Sequence, residues 1–169
     1  MTVGDALSST SFKLHCDSIH FSLLPDTICT FVKIIRNHEG EVMATMSAKG
    51  EYVQNRDEVE VLACRKDLEF AMEVGFSNLV IEGDNSNVMR ALSASAVNNS
   101  LYGHAVDDIR SYFLGWQFVD ISCVKREGNM VAHSLVRFAR NIVDVLYWME
   151  DEPPPVVDAL HYDCLHINE

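Results

Sequence analysis

The sequence predicts an α/β domain in which a mixed, five-stranded sheet is flanked by helices. Three observations predict it. Runs rich in β-branched residues alternate with segments whose apolar residues recur every three or four positions, in the order β-β-β-α-β-α-α-β-α. The first three strands form a meander closed by a short polar turn, which gives antiparallel pairing, and the later strands are separated by helices, which gives parallel pairing. The chain has 169 residues, 48% of them hydrophobic and 22% charged, so it is one domain long enough to bury a core.

The elements follow in order. Residues 1–11 are polar and read as a flexible lead-in to a domain over residues 12–150. Phe12 to Asp17 alternates as a first strand, and Thr27 to Arg36 is β-branched enough for a second. Asn37-His38-Glu39-Gly40 is a turn, after which Glu41 to Ala48 returns as a third strand. The first long helix covers about 56–74, with Val61, Cys64, Leu68, Ala71 and Met72 on one face and Gly75 as its stop. Asn78 to Gly83 is a short apolar strand, and Asn85 to Ser93 a helix. A polar stretch over 95–100 leads to a helix over about 101–114. Phe118 to Val124 is the last strand. Gly128-Asn129 then starts a long helix whose apolar stripe runs through Ala132, Leu135, Val136, Ala139, Ile142, Val143 and Leu146. The Glu150-Asp151-Glu152-Pro153-Pro154-Pro155 segment ends that helix, because proline lacks the amide donor, and opens an acidic tail over 151–169.

Composition narrows the function. The formal net charge is −12. Residues 141–169 carry seven acids and no Lys or Arg, leaving 13 basic and 18 acidic groups in the rest. Such a chain is a poor general polyanion binder, since affinity for nucleic acid comes mainly from Lys and Arg on phosphates. A metal-dependent nuclease stays open, because bound cations offset its active-site acids. Cys16, Cys29, Cys64, Cys123 and Cys164 are odd in number and form no Cys-x-x-Cys pair, so buried thiols are expected rather than a disulfide or zinc role. No apolar run approaches a membrane span, and Met1 to Asp5 lacks the features of a secretory signal. The expectation is an intracellular protein, nuclear or cytoplasmic, without a membrane partner. There is no internal repeat and no Gly-rich phosphate loop.

Three carboxylates stand where secondary structure can aim them at one point. Asp17 ends the first strand, Glu60 opens the first helix, and Asp84 follows Leu79-Val80-Ile81-Glu82-Gly83. Converging acids repel one another unless a divalent cation sits among them, and hard cations such as Mg²⁺ take oxygen ligands. That pattern points to metal-assisted phosphate chemistry. Each acid also has a plainer reading. Asp17 alone is a solvated strand-end acid, Glu60 a first-turn acid favoured by the helix dipole, and Asp84 an N-cap for the helix at Asn85. Asp57 and Glu58 compete with Glu60, which the spacing to Gly75 favours, and Glu82 is a weaker candidate two residues before Asp84. His133 sits beside the apolar stripe on the face of Arg137 and Arg140, as a surface histidine or as a metal or proton-transfer group. His15, His20, His38, His104, His161 and His166 show no ligand spacing.

The element order, with acids at the first strand, the first helix and the fourth strand, resembles the ribonuclease H fold. Three local sequences narrow the resemblance: Val59-Glu60-Val61-Leu62-Ala63, then Val80-Ile81-Glu82-Gly83-Asp84-Asn85-Ser86, then Val124 to Leu135 with Arg126, Asn129 and His133. Together with the Trp148 to Pro155 ending, they are similar to the plant ribonuclease H-like domain related to the ribonuclease H segment of retrotransposon reverse transcriptases. The resemblance covers about residues 12–160.

It implies that Asp17, Glu60 and Asp84 match the first three of four metal-holding acids, with Mg²⁺ or Mn²⁺ as cofactor and RNA in an RNA–DNA hybrid as substrate, cut to leave a 5′ phosphate. His133 stands at the fourth position, as in many plant relatives. Neutral imidazole offers one nitrogen and suits softer ions than a carboxylate does, and His133 can instead carry protons near neutral pH; either way the second metal is expected to bind more weakly. Arg126 and Asn129 are implied to touch nucleic-acid phosphate, or to shape the turn into the last helix. Asp17-Ser18-Ile19-His20-Phe21-Ser22-Leu23-Leu24 lacks the family's glycines, the second strand lacks them too, and the basic handle of some relatives is missing. The alternative from another class is therefore a catalytically inactive module that binds a protein partner or nucleic acid.

Overall fold

The structure, a computed structural model, describes residues 12–19, 30–49, 55–125, 130–139, 144–149 and 157, without the side chains of residues 12–19, 30, 130, 132, 133, 136 and 139. The lead-in expected over 1–11, and the tail over 151–169 apart from Val157, lie outside the described residues. The elements are β1 (Phe12–Ile19), β2 (Thr30–Arg36), β3 (Val42–Lys49), α1 (Arg56–Glu73), β4 (Asn78–Gly83), α2 (Ser86–Ser93), α3 (Gly103–Phe113), β5 (Phe118–Cys123), α4 (Met130–Ala139) and β6 (Leu146–Met149).

Local chemistry sets most of these boundaries. In the β2–β3 turn, the Asn37 side chain accepts from the amides of Glu39 and Glu41 at 3.0 and 2.9 Å, and Gly40 takes φ 84°. Asn55 caps α1 by accepting from the amides of Asp57 and Glu58. At the other end, the Phe76 amide bonds to the Ala71 carbonyl and the Gly75 amide to the Met72 carbonyl, with Gly75 at φ 86°. That pair of bonds is a Schellman cap, and the positive φ is why glycine sits there.

The sheet order is β5-β4-β1-β2-β3-β6. Strand β1 is parallel to β4, and β4 to β5, whereas β1-β2-β3-β6 run antiparallel. Both faces are covered. On one face, Ile35, Ala44, Met46, Leu79 and Ile81 join Cys64, Leu68 and Phe70 of α1, Val88 and Leu92 of α2, and Val106 and Ile109 of α3 in a single core. On the other, α4 packs on β1, β2 and β3 with Val131 and Leu135 fully buried. Every residue from Phe31 to Arg36 is buried accordingly. Lys33 is accommodated inside by donating to the Lys66 carbonyl, with its ammonium 5.6 Å from the Phe70 ring centroid.

Two expectations are corrected. Among the described residues the sheet has six strands rather than five, and the helix expected to run through Leu146 is described as helix only from Met130 to Ala139. Leu146–Met149 is instead a strand paired with β3, with Ala44 opposite Met149 and Ser47 opposite Leu146. The reason lies in the Val-Leu-Tyr-Trp composition, which suits a pleated surface, and in the otherwise open edge of β3, whose backbone groups need partners. Alternation confirms the change: Tyr147 meets Phe70 of α1 at 6.1 Å, and Trp148 meets Phe138 of α4 at 6.2 Å. Strand β1 also continues two residues past Asp17. At the far edge of the sheet, the Asp120 carboxylate accepts from the Ile121 amide at 2.9 Å.

Candidate active site

The parallel pairing of β1 with β4 brings two of the predicted acids together along the backbone. Its register sets Leu14 beside Ile81 and His15 beside Glu82. That paired register ends at His15 and Glu82, two residues before Asp17 on the one chain segment and Asp84 on the other. Asp17 itself lies inside β1, opposite Val32 of β2, and Asp84 directly follows the last residue of β4. The capping role considered for Asp84 belongs to its neighbour: the Asn85 side chain accepts from the amides of Asn87 and Val88 at 3.1 and 3.3 Å. Asp84 therefore stands just ahead of α2, half-buried at the end of the strand.

Helix α1 packs against β1 and begins on the same side of the sheet as the β4–α2 junction. The link is explicit. Asn85 Nδ2 donates to Asp57 Oδ1 at 2.8 Å, and Tyr102 Oη donates to Asp57 Oδ2 at 3.4 Å. Both Asp57 oxygens are thus engaged by residues at the starts of the next two helices. Glu60 is buried, 6% exposed, less than a full turn further along α1. Val59 beside it packs on Phe31 and Ala63, fixing the rotation of this end of the helix. Burial and the Asp57 charge together raise the pKa of the Tyr102 hydroxyl above its ordinary value, burial contributing more, so the hydroxyl stays a proton donor.

Glu82 is equally buried, at 6% exposure, between His15 of β1 and Ser122 of β5. His133 lies in the first half of α4, the helix laid across β1, β2 and β3. Arg126 and Asn129 lie outside the described residues, as do the side chains of Asp17 and His133. Among the described residues no three His, Cys, Asp or Glu side chains are grouped closely enough to hold a metal ion. A cation site at the ends of these central strands would need Asp17 or His133 in addition to Glu60 and Asp84. Carboxylates as the residue types at these positions would suit a hard divalent ion, which takes oxygen ligands.

Sequence reasoning missed Tyr102 and the Asp57–Asn85 contact. An asparagine just before a helical run is a readable cap signal and marks Asn85. Nothing local marks a tyrosine that reaches an aspartate 45 residues away. No helix among the described residues is long and apolar enough to cross a membrane.

Residues 25–139, more than half the chain, match the model of the reverse transcriptase-like family. No curated protein sequence matches the chain. Among solved structures, it is similar to RNase H1 from the halophilic archaeon Halobacterium salinarum at 19% identity, with 78% of this chain and 98% of that chain covered and a TM-score of 0.68. It is similar to LC11-RNase H1, isolated from compost and solved with an RNA/DNA hybrid, at 15% identity, 75% and 94% coverage and a TM-score of 0.65. It is also similar to the N-terminal RNase H domain of rv2228c from Mycobacterium tuberculosis at 13% identity, 78% and 94% coverage and a TM-score of 0.61. At these identities the likeness is one of fold.

Proposed function

This chain belongs to the reverse transcriptase-like family as a ribonuclease H-like domain related to the ribonuclease H segment of retroelements, and from that premise we propose that it is a divalent-metal-dependent endonuclease acting on RNA in RNA–DNA hybrids. The reading is supported by the parallel β1–β4 register, Leu14 beside Ile81 and His15 beside Glu82, which leads toward Asp17 and Asp84 on neighbouring central strands, and by the Asp57–Asn85 bond that ties the start of the helix bearing Glu60 to the β4–α2 junction. The hybrid as substrate is supported by the LC11-RNase H1 neighbour, which was solved with one.

In this reading Asp17, Glu60 and Asp84 hold Mg²⁺ or Mn²⁺, and His133 stands near a second ion. When bound, the ions supply Lewis-acid activation at the scissile phosphodiester. The chain's own residues do the rest. The three carboxylates concentrate negative charge that only a cation relieves, which sets the metal requirement. His133 moves a proton near neutral pH or lends a nitrogen ligand, and either role leaves the second ion more weakly held than a carboxylate would. Arg126 and Asn129 contact the phosphate backbone.

The test is direct. Purified protein incubated with a labelled RNA–DNA hybrid and Mg²⁺ or Mn²⁺ should release RNA fragments bearing 5′ phosphates, and Asp84→Asn should abolish the release. No cleavage in either metal overturns the enzymatic reading and leaves the fold as a binding module.

A further inference from the structure

We infer that the Tyr102–Asp57–Asn85 bridge is a positioning device that sets the separation between Glu60 on α1 and Asp84 at the end of β4. The inference rests on the metal-dependent reading above. Asn85 Nδ2 donates to one Asp57 oxygen at 2.8 Å and Tyr102 Oη to the other at 3.4 Å, so a single carboxylate joins the starts of three helices. Residue 57 is in the first turn of α1, residue 85 is the N-cap of α2, and residue 102 holds the N-cap place of α3.

Each partner is available for this task because its local role is filled or absent. Asn55, not Asp57, caps α1. Asn85 caps α2 with its oxygen, which leaves its Nδ2 hydrogens for Asp57. The Tyr102 side chain makes no capping bond to its own helix. The tyrosine is held in place from behind: a Cβ added to Gly103 would lie 1.9 Å from the Asn98 carbonyl oxygen, so the backbone preceding α3 is packed tightly against its start. Three positive helix ends converge on one negative side chain, which favours the arrangement electrostatically.

The bridge matters because apolar packing is non-directional and lets a helix slide by small amounts. Metal ligands must be placed to within roughly 0.2 Å. Between α1 and the β4–α2 junction, the Asp57 hydrogen bonds supply that directionality, and they sit one residue from Asp84 and three from Glu60. Asp57 is accordingly a positioning residue and not a metal ligand.

The experiment measures Mn²⁺ binding by electron paramagnetic resonance, and hybrid cleavage as a function of Mg²⁺ concentration, for the wild type, Asp57→Ala, Asp57→Asn and Tyr102→Phe. Asp57→Ala should raise the metal midpoint by roughly ten-fold, as loss of an outer-shell partner does. Asp57→Asn keeps an oxygen for Asn85 and should restore the midpoint to near wild type, with Tyr102→Phe between the two. If Asp57→Asn is as impaired as Asp57→Ala, charge rather than geometry is at work and the inference is overturned. It is equally overturned if folded Asp57→Ala binds and cleaves as the wild type does. Should Asp57→Ala fail to fold, the comparison of Asp57→Asn and Tyr102→Phe with the wild type decides: a metal midpoint unmoved in Tyr102→Phe overturns the inference. A wild type that neither binds Mn²⁺ nor cleaves sinks the nuclease reading itself, a result distinct from all of these.

Discussion

Gly75 shows how a single residue can be read from sequence and then priced from structure. Its place after the last apolar position of α1 marks it as a helix stop, and its φ of 86° with two backbone bonds around it is that stop. An added Cβ would meet nothing within 4 Å, so Gly75→Ala isolates the backbone cost of a left-handed residue. Urea unfolding of Gly75→Ala should show a loss of about 1 kcal/mol with an unchanged slope. No loss would mean that the cap relaxes to another geometry. Asp84 was legible as an acid at a strand end, but the choice of Asn85 as the cap was not, because Asp84 and Asn85 are both good caps and only the helix phase chooses between them. Asp57, Glu58 and Glu60 were ambiguous for a similar reason. The one that Asn85 and Tyr102 engage is Asp57, and those partners are 28 and 45 residues away.

Among the elements, the meander β1-β2-β3, helix α1 and strand β4 were readable because their signals are local: alternation, β-branching, a cap and a stop. Strand β6 was not. The apolar spacing of α4 continues in phase through Ile142, Val143 and Leu146, so a helix and a following strand share one periodic pattern, and only the distant edge of β3 selects the strand. The two rings of this strand face opposite sides of the sheet, Tyr147 toward Phe70 and Trp148 toward Phe138. Trp148→Ala should therefore weaken the seat of α4 while leaving α1 untouched. The expected loss is about 1–2 kcal/mol, since the ring is half-buried. Denaturation can be followed by the fluorescence of Trp116, the other tryptophan of the chain. A variant as stable as the wild type would show that β6 contributes register and not packing.

For the whole molecule, the fold class was legible because the order of elements survives errors at their ends. The site was legible only in part, since a register between β1 and β4 is a property of the sheet and not of either strand's sequence. Charge is also a property of the whole. A net charge of −12 opposes long-range attraction to a polyanion, so under the proposed function contact with a hybrid would be local and cation-bridged. Hybrid affinity should accordingly fall only gently as NaCl is raised at constant Mg²⁺, with a slope matching about three neutralised phosphates or fewer. Binding titrations across a salt series check this, and a steep slope would reveal a basic surface that the composition does not suggest.

The pairing of Met149 with Ala44 joins segments more than a hundred residues apart. During synthesis, the outer rim of β3 waits without this hydrogen-bonding neighbour until residues 146–149 have left the ribosome. A nascent form halted before that moment would expose a ready template for intermolecular strand addition, so the arrival of β6 decides whether this sheet closes on itself or on another molecule.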